Sequence, residues 1–236
     1  MVRKRSTLDK TLGHPLRGVS VDFLVHRLPA LLRSVGFPSV DIRIYDVEEK
    51  LIRGLSQQRC PRDGRHGCSF VDTLTGKNNT GLATHMLSYT WGYKISEIID
   101  ALSNYCATRD LEPKRTYFWI CCFCIDQHRV KEASAAGRVM SFDDFSAEFS
   151  RRVNDIGAVV ALLSPWHSPA YLSRAWCVFE LHVATVAMES GASCRLDIAL
   201  PSAEAEEFTS SVFSGKGAAR LWDSLKRIDV QTAQAS

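Results

Sequence analysis

Two nearly continuous apolar runs, Tyr117 to Ile125 (YFWICCFCI) and Gly157 to Ser164 (GAVVALLS), constrain this chain most. A strand with one wet face alternates apolar and polar residues, whereas these runs do not. They read instead as strands covered on both faces, which is the habit of parallel sheets. The segments around them carry helical periodicity. Lys94 to Thr108 places Ile95, Ile98, Ile99, Leu102, Tyr105 and Cys106 on one stripe. Phe142 to Asp155 and Leu172 to Glu189 also read as helices, as do Ala203 to Val212 and Ala218 to Arg227. Thr84 to Tyr89 and Cys194 to Leu200 read as further strands, the latter stopped by Pro201. The order β-α-β-α-β-α-β-α predicts an α/β fold with a central parallel sheet of 4–5 strands and helices on both faces. A fifth strand is not legible. The chain ends in the polar segment Asp229 to Ser236, which is compatible with a fragment.

The segment before residue 81 is less regular. Residues 1–18 read as loosely packed, and their basic character also fits an organelle-targeting leader. Val21 to Val35 has helical spacing with a kink or restart at Pro29. Asp41 to Val47 alternates like a short strand, and residues 53–81 read mostly as loop. We therefore divide the chain into an N-terminal extension, residues 1–80, partly helical and partly loop, and an α/β domain, residues 81–236. Arg129 to Ser141 reads as a loop within that domain.

Composition narrows the function classes. The net charge is +3, with basic residues scattered, which argues against nucleic acid as a partner. No apolar run reaches ~18 residues, so no spanning helix is expected. Eight cysteines without a secretory signal, three of them inside an apolar run, predict reduced thiols and a cytoplasmic protein. G-x-G-x-x-G after a strand, a Walker loop and a G-x-S-x-G elbow are all missing from the sequence. Cys60, His66 and Cys68 are spaced loosely like metal ligands, but no second ligand pair of standard spacing follows, so no metal site is expected. Cys177 beside His182 reads as a buried, inert thiol rather than a nucleophile.

The expected chemistry lies where strands end. Leu87 to Gly92 (LSYTWG), Cys124 to His128 (CIDQH) and Leu163 to Ser168 (LSPWHS) each place polar or aromatic groups just past an apolar strand. Ligand clefts of open α/β sheets form at such ends. The helix after the third end begins Ser173-Arg-Ala-Trp-Cys-Val-Phe-Glu-Leu181, with Ser173 as a candidate N-cap. Trp176 and Glu180 are four apart and share a face. An acid on an apolar helix face is costly unless paired or used. From spacing alone, a salt-bridged or solvated glutamate remains the alternative to a catalytic one.

The segments Ser88-Tyr89, Phe118-Trp-Ile through Asp126, Leu162-Leu-Ser-Pro165 and Trp176-Cys-Val-Phe-Glu-Leu181 together resemble the TIR domain, in the right order over about residues 82–200. Leu87 to Gly92, Cys124 to Gln127 and Ser173-Arg-Ala-Trp176 are also similar to the fungal heterokaryon-incompatibility domain, a TIR relative; the whole chain looks most like TIR-like proteins of algae and protists. Three features depart from the pattern: the spacing of Gln127 to Gly137, the unclear fifth strand, and the N-terminal segment, which has no TIR counterpart.

The resemblance implies a flavodoxin-like three-layer sandwich. It implies that Glu180 is the catalytic residue of an NAD+ hydrolase that cleaves the nicotinamide–ribose bond in intracellular signalling or defence, with NAD+ as substrate and no cofactor required. In this reading Trp176 walls the site, and Tyr89 and Trp91 stack on a ring of the substrate. Ser88 hydrogen-bonds ribose or phosphate, and Asp126 binds ribose hydroxyls or orients His128. Homo-oligomers through TIR–TIR contacts are also implied. The rival is a non-catalytic module that signals by self-association. A third reading is a relative acting on another nucleotide. A Glu180 carboxylate open to a pocket beside Ser88 and Trp91 favours an enzyme; one locked to Arg174 or Arg151 favours the adaptor.

Overall fold

A computed structural model describes residues 10–138, 141–189 and 194–213. Six strands form one mixed, mostly parallel sheet. They are β1 (Arg17–Ser20), β2 (Thr80–Leu82), β3 (His85–Ser88), β4 (Tyr117–Trp119), β5 (Ala158–Leu162) and β6 (Arg195–Ala199). Their order across the sheet is β2-β1-β4-β3-β5-β6. The strands β4, β3, β5 and β6 are parallel, and β1 joins antiparallel between β4 and β2.

The helices follow from this order. The crossover from β3 to β4, carrying α4 (Ile95–Thr108), runs one way across the sheet; those from β4 to β5 and β5 to β6 run the other way. Because such crossovers are right-handed, α4 falls on one face and α7 (Phe142–Ile156) and α8 (Ala175–Glu189) on the other. Contacts agree: α4 packs with α1 (Val21–His26) and α9 (Ser202–Phe213), and α7 packs with α8.

Local signals set the helix ends. Glu97 accepts from the backbone N–H of Lys94 at 2.8 Å, one arm of a capping box that opens α4. Ser141 caps α7, and Gly157, with φ +74, closes it before β5 begins. The break between α1 and α2 (Leu28–Ser34) falls at Arg27, with Pro29 in the first turn of α2, where its missing N–H costs nothing.

The structure corrects several expectations. The expected strand over Tyr117 to Ile125 stops at Trp119, and Cys121–Cys124 turn into a short helix, α5. A continuous apolar run cannot distinguish a buried strand from a buried helical turn. The first part of Arg129 to Ser141, expected as a loop, instead belongs to α6 (Gln127–Ala135), because Asp126 caps it. The expected strand over Asp41 to Val47 instead ends in α3 (Ile44–Val47), continued by a π-helical turn over Glu48–Arg53. Of the segment expected to be loosely packed, residues 1–9 lie outside the described residues, and residues 10–16 are tied in: Gly13 N–H donates to Asp72 at 3.2 Å and the Leu16 carbonyl accepts from Ala83 N–H at 2.8 Å. Ser173 does not cap α8: its Oγ donates to the Ala170 carbonyl at 2.7 Å, and Arg174 holds the cap position, its carbonyl accepting from Val178 N–H. The helix expected over Ala218 to Arg227 lies outside the described residues.

The stretch before residue 81 thus adds strands to what the sequence reads as helix and loop. Arg17 is fully buried in β1. It donates from Nε to Thr80 Oγ1 at 3.0 Å and from Nη2 to the Leu74 carbonyl at 2.8 Å, and Nη1 lies 3.4 Å from Asp72. Its neighbour Gly18 lies against β4 so closely that a Cβ would sit 2.7 Å from the Phe118 carbonyl oxygen. Backbone cannot step aside as a side chain can. Gly18→Ala is therefore expected to lower stability by about 1–3 kcal/mol, read as a drop in the urea midpoint; an unchanged midpoint would mean that β1 does not seal against β4 as described.

Candidate functional site

Glu180 belongs to the buried stripe of α8. Cys177, Ala184 and Ala187, on the same side of the helix, are buried. This stripe faces the sheet, and Glu180 lies over the carboxyl end of β3, where its carboxylate hydrogen-bonds the Ser88 hydroxyl. Ser88 Oγ is also 2.6 Å from Tyr171 Oη, and Tyr171 donates to the Cys177 carbonyl at 2.9 Å.

A proton count describes this chain of contacts. Two hydroxyls supply two protons for three hydrogen bonds. If Tyr171 donates to Cys177 and Ser88 to Tyr171, the bond between Glu180 and Ser88 requires a proton on Glu180. When Glu180 ionises, Ser88 turns its single proton toward the carboxylate. Electrostatics point the same way: burial pushes the Glu180 carboxyl up to about 7, against the opposing pull of the Ser88 hydrogen bond and the Arg152 charge. Arg152 lies over the Trp119 ring at 4.2 Å from its centroid.

Glu180 also faces open space. With Trp91, Cys121, Gln127, Arg174 and Trp176 it lines a pocket of about 470 Å³ at the carboxyl ends of the parallel strands. That volume lies in the usual range for small-molecule sites. Five aromatic residues, Tyr45, Tyr89, Trp91, Phe145 and Trp176, line it. Trp176 packs on Phe145 of α7 with ring centroids 4.3 Å apart, and Trp91 meets Tyr45 at 5.5 Å. Trp91 Nε1 donates to Cys121 Sγ at 3.3 Å, which fixes the indole. Glu180 has no ion pair among the described residues. Arg151 is engaged with Glu148 and Asp155, and Arg174 hydrogen-bonds Tyr45.

The expected residues divide. Glu180, Tyr89, Trp91 and Trp176 all line the pocket. Ser88 does not: it is fully buried beneath Glu180, so it holds the carboxylate rather than meeting a ligand. Asp126 is absent from the lining as well. Its Oδ1 accepts from the backbone N–H groups of His128 and Arg129, the ordinary work of an N-cap, and the His128 ring contacts Ser56 Oγ at 3.1 Å instead. Cys177 is buried, and burial raises its thiol further from ionisation. Among the described residues no group of three or more His, Cys, Asp or Glu is placed to hold a metal.

Tyr45, Gln127 and Arg174 line the pocket but are not expected from the sequence as ligand contacts: Gln127 reads there only as part of a strand end and Arg174 only as a possible partner of Glu180. Gln127 directly follows an Asp cap and Arg174 directly precedes the Trp176–Glu180 segment, so position offered a signal for both. Nothing local marked Tyr45, which arrives from the N-terminal segment. Comparison with protein-family models, with curated proteins and with solved structures finds no match.

Proposed function

We propose that this protein is a TIR-like NAD+ hydrolase acting at the Glu180 pocket. The observation that carries the reading is a carboxyl group with no ion pair among the described residues, seated on Ser88 at the edge of an aromatic pocket. The order of the parallel strands, β4-β3-β5-β6, also suits the proposed flavodoxin-like arrangement, with the pocket near the switch point. Among the described residues no helix is long and apolar enough to cross a membrane. In this reading the protein works in the cytoplasm, in signalling or defence, and self-associates.

The reaction breaks the bond between the nicotinamide nitrogen and ribose C1′. The electron pair leaves with nicotinamide, which departs neutral and needs little protonation. Positive charge develops on the ribose, and ionised Glu180 stabilises it. Water then bonds to C1′ and loses its proton, giving ADP-ribose; attack by the adenine would give a cyclic product. Trp91 and Trp176 supply faces for a ring to pack on.

Activity that needs ionised Glu180 rises with pH through the carboxyl's own range. The expected kcat/KM profile has an ascending limb centred near about 7. Ser88 stabilises the charged form, so Ser88→Ala is expected to move that limb to higher pH while the alkaline plateau falls less. A limb that stays in place would remove Ser88 from the support of Glu180.

The direct test is NAD+ consumption by concentrated purified protein. Loss of NAD+ with release of nicotinamide supports the enzyme. No loss, in concentrated protein or on a crowding surface, favours the self-association module.

A further inference from the structure

The pocket mouth carries a charge that the described residues leave without a counterion. Arg174 is half-buried, lines the pocket, and meets no carboxylate among the described residues. Its guanidinium donates from Nη2 to Tyr45 Oη at 3.2 Å. That contact holds the fork without neutralising it. Arg174 also opens α8, whose amide dipoles turn their positive end toward the same place.

Gln127 supplies a second polar group. It is 7% exposed and lines the same pocket, yet its side-chain amide has no hydrogen bond among the described residues. The amide is not among the atoms sealed from solvent without a partner, so it stays accessible for a ligand to bond.

The pocket's chemistry is therefore graded. Glu180 offers negative charge at one end. Trp176 and the Tyr45–Trp91 pair offer ring faces. Gln127 offers a neutral donor and acceptor. Arg174 offers positive charge, six residues before Glu180 and roughly 9 Å away along the helix. A purely cationic ligand would be repelled at Arg174, and an uncharged nucleoside would leave it unanswered. We infer that the pocket takes a phosphorylated nucleotide, with Arg174 binding its phosphate, Tyr45 holding the guanidinium in place, and Gln127 bonding the sugar or the ring edge. The inference rests on the pocket being the nucleotide site proposed above. It also gives the N-terminal segment a part in substrate recognition, through Tyr45.

The test is binding by calorimetry with the full chain carrying Glu180→Gln, so that turnover does not interfere. Two pairs of probes differ only in phosphate: nicotinamide mononucleotide against nicotinamide riboside, and adenosine monophosphate against adenosine. The phosphorylated member of at least one pair is expected to bind about tenfold tighter or more, as a charge-assisted bidentate contact allows. Adding Arg174→Gln should erase that preference, and Arg174→Lys should keep part of it. Tyr45→Phe should weaken the phosphorylated probe by roughly threefold and leave its partner unchanged. Because Arg174 makes no ion pair among the described residues, these variants should melt with the parent.

A phosphate preference that survives Arg174→Gln, or no preference in either pair, overturns the inference, even if NAD+ cleavage is observed. An Arg174-dependent preference for adenosine monophosphate without any binding of the nicotinamide probes supports the phosphate site and counts against the NAD+ reading.

Discussion

Glu180→Gln is expected to reduce NAD+ cleavage by at least about a hundredfold while the protein stays folded. Glutamine keeps the size of the side chain and an acceptor oxygen for Ser88, so the contact beneath the pocket survives. What disappears is the negative charge that would face the developing ribose cation. Stability should move the opposite way from activity. The Glu180 carboxyl is pushed up to about 7 in the folded protein, well above its ordinary value near 4.5. A carboxyl raised in this way favours folding in its protonated form. Its contribution is complete below pH 4.5, declines as pH rises toward 7, and is gone above that.

The buried His85 slopes the other way over an overlapping range, because burial and the Arg195 charge lower it to about 4. It stays neutral in the fold while the unfolded chain charges, so it costs stability as pH falls from 6.5 toward 4. The informative quantity is therefore the difference between wild type and Glu180→Gln, measured by urea unfolding from pH 4.5 to 8. The variant should gain on wild type as pH rises and then level off. A folded Glu180→Gln protein that cleaves NAD+ at the wild-type rate would falsify the mechanism.

Arg17→Met is expected to cost about 3 kcal/mol, the low end for breaking a buried charged pair. Arg17 and the Asp72 carboxylate are both fully buried. Asp72 would not be orphaned, because Arg62 lies 3.1 Å from it and Ser69 donates to it at 2.7 Å. The Leu74 carbonyl, however, would lose the Arg17 hydrogen bond. The hydrogen bond that ties β1 to Thr80 of β2 would vanish too. Unfolding should remain a single transition at a lower midpoint, followed by fluorescence and by circular dichroism. An unchanged midpoint would mean that the N-terminal segment does not unfold together with the sheet.

Much of the parallel half of the molecule was legible because its signals are local. Apolar runs mark β5 and part of β4, and the stripe from Ile95 to Cys106 marks α4. Errors collected where one local signal fits two structures. The run after Trp119 is equally apolar as strand or as helical turn, and Asp126, given a binding role by the resemblance, has a side chain that also suits a cap. Here the cap won, because the first amides of α6 need an acceptor.

The sequence by itself determined the mixed α/β class of the fold and the placement of one acid, Glu180, on an apolar helix face. Periodicity follows from backbone geometry, and an acid within the buried stripe of a helix is visible from spacing alone. Tertiary structure decided the rest. The pairing of β1 with β4 and β2 joins residues far apart in the chain, and no local pattern records a long-range ladder. Strand position and helix packing settle that Ser88 supports Glu180 from beneath instead of meeting a ligand. Tyr45, Gln127 and Arg174 meet at one pocket only because three separate elements converge there, and convergence is a property of packing, not of spacing.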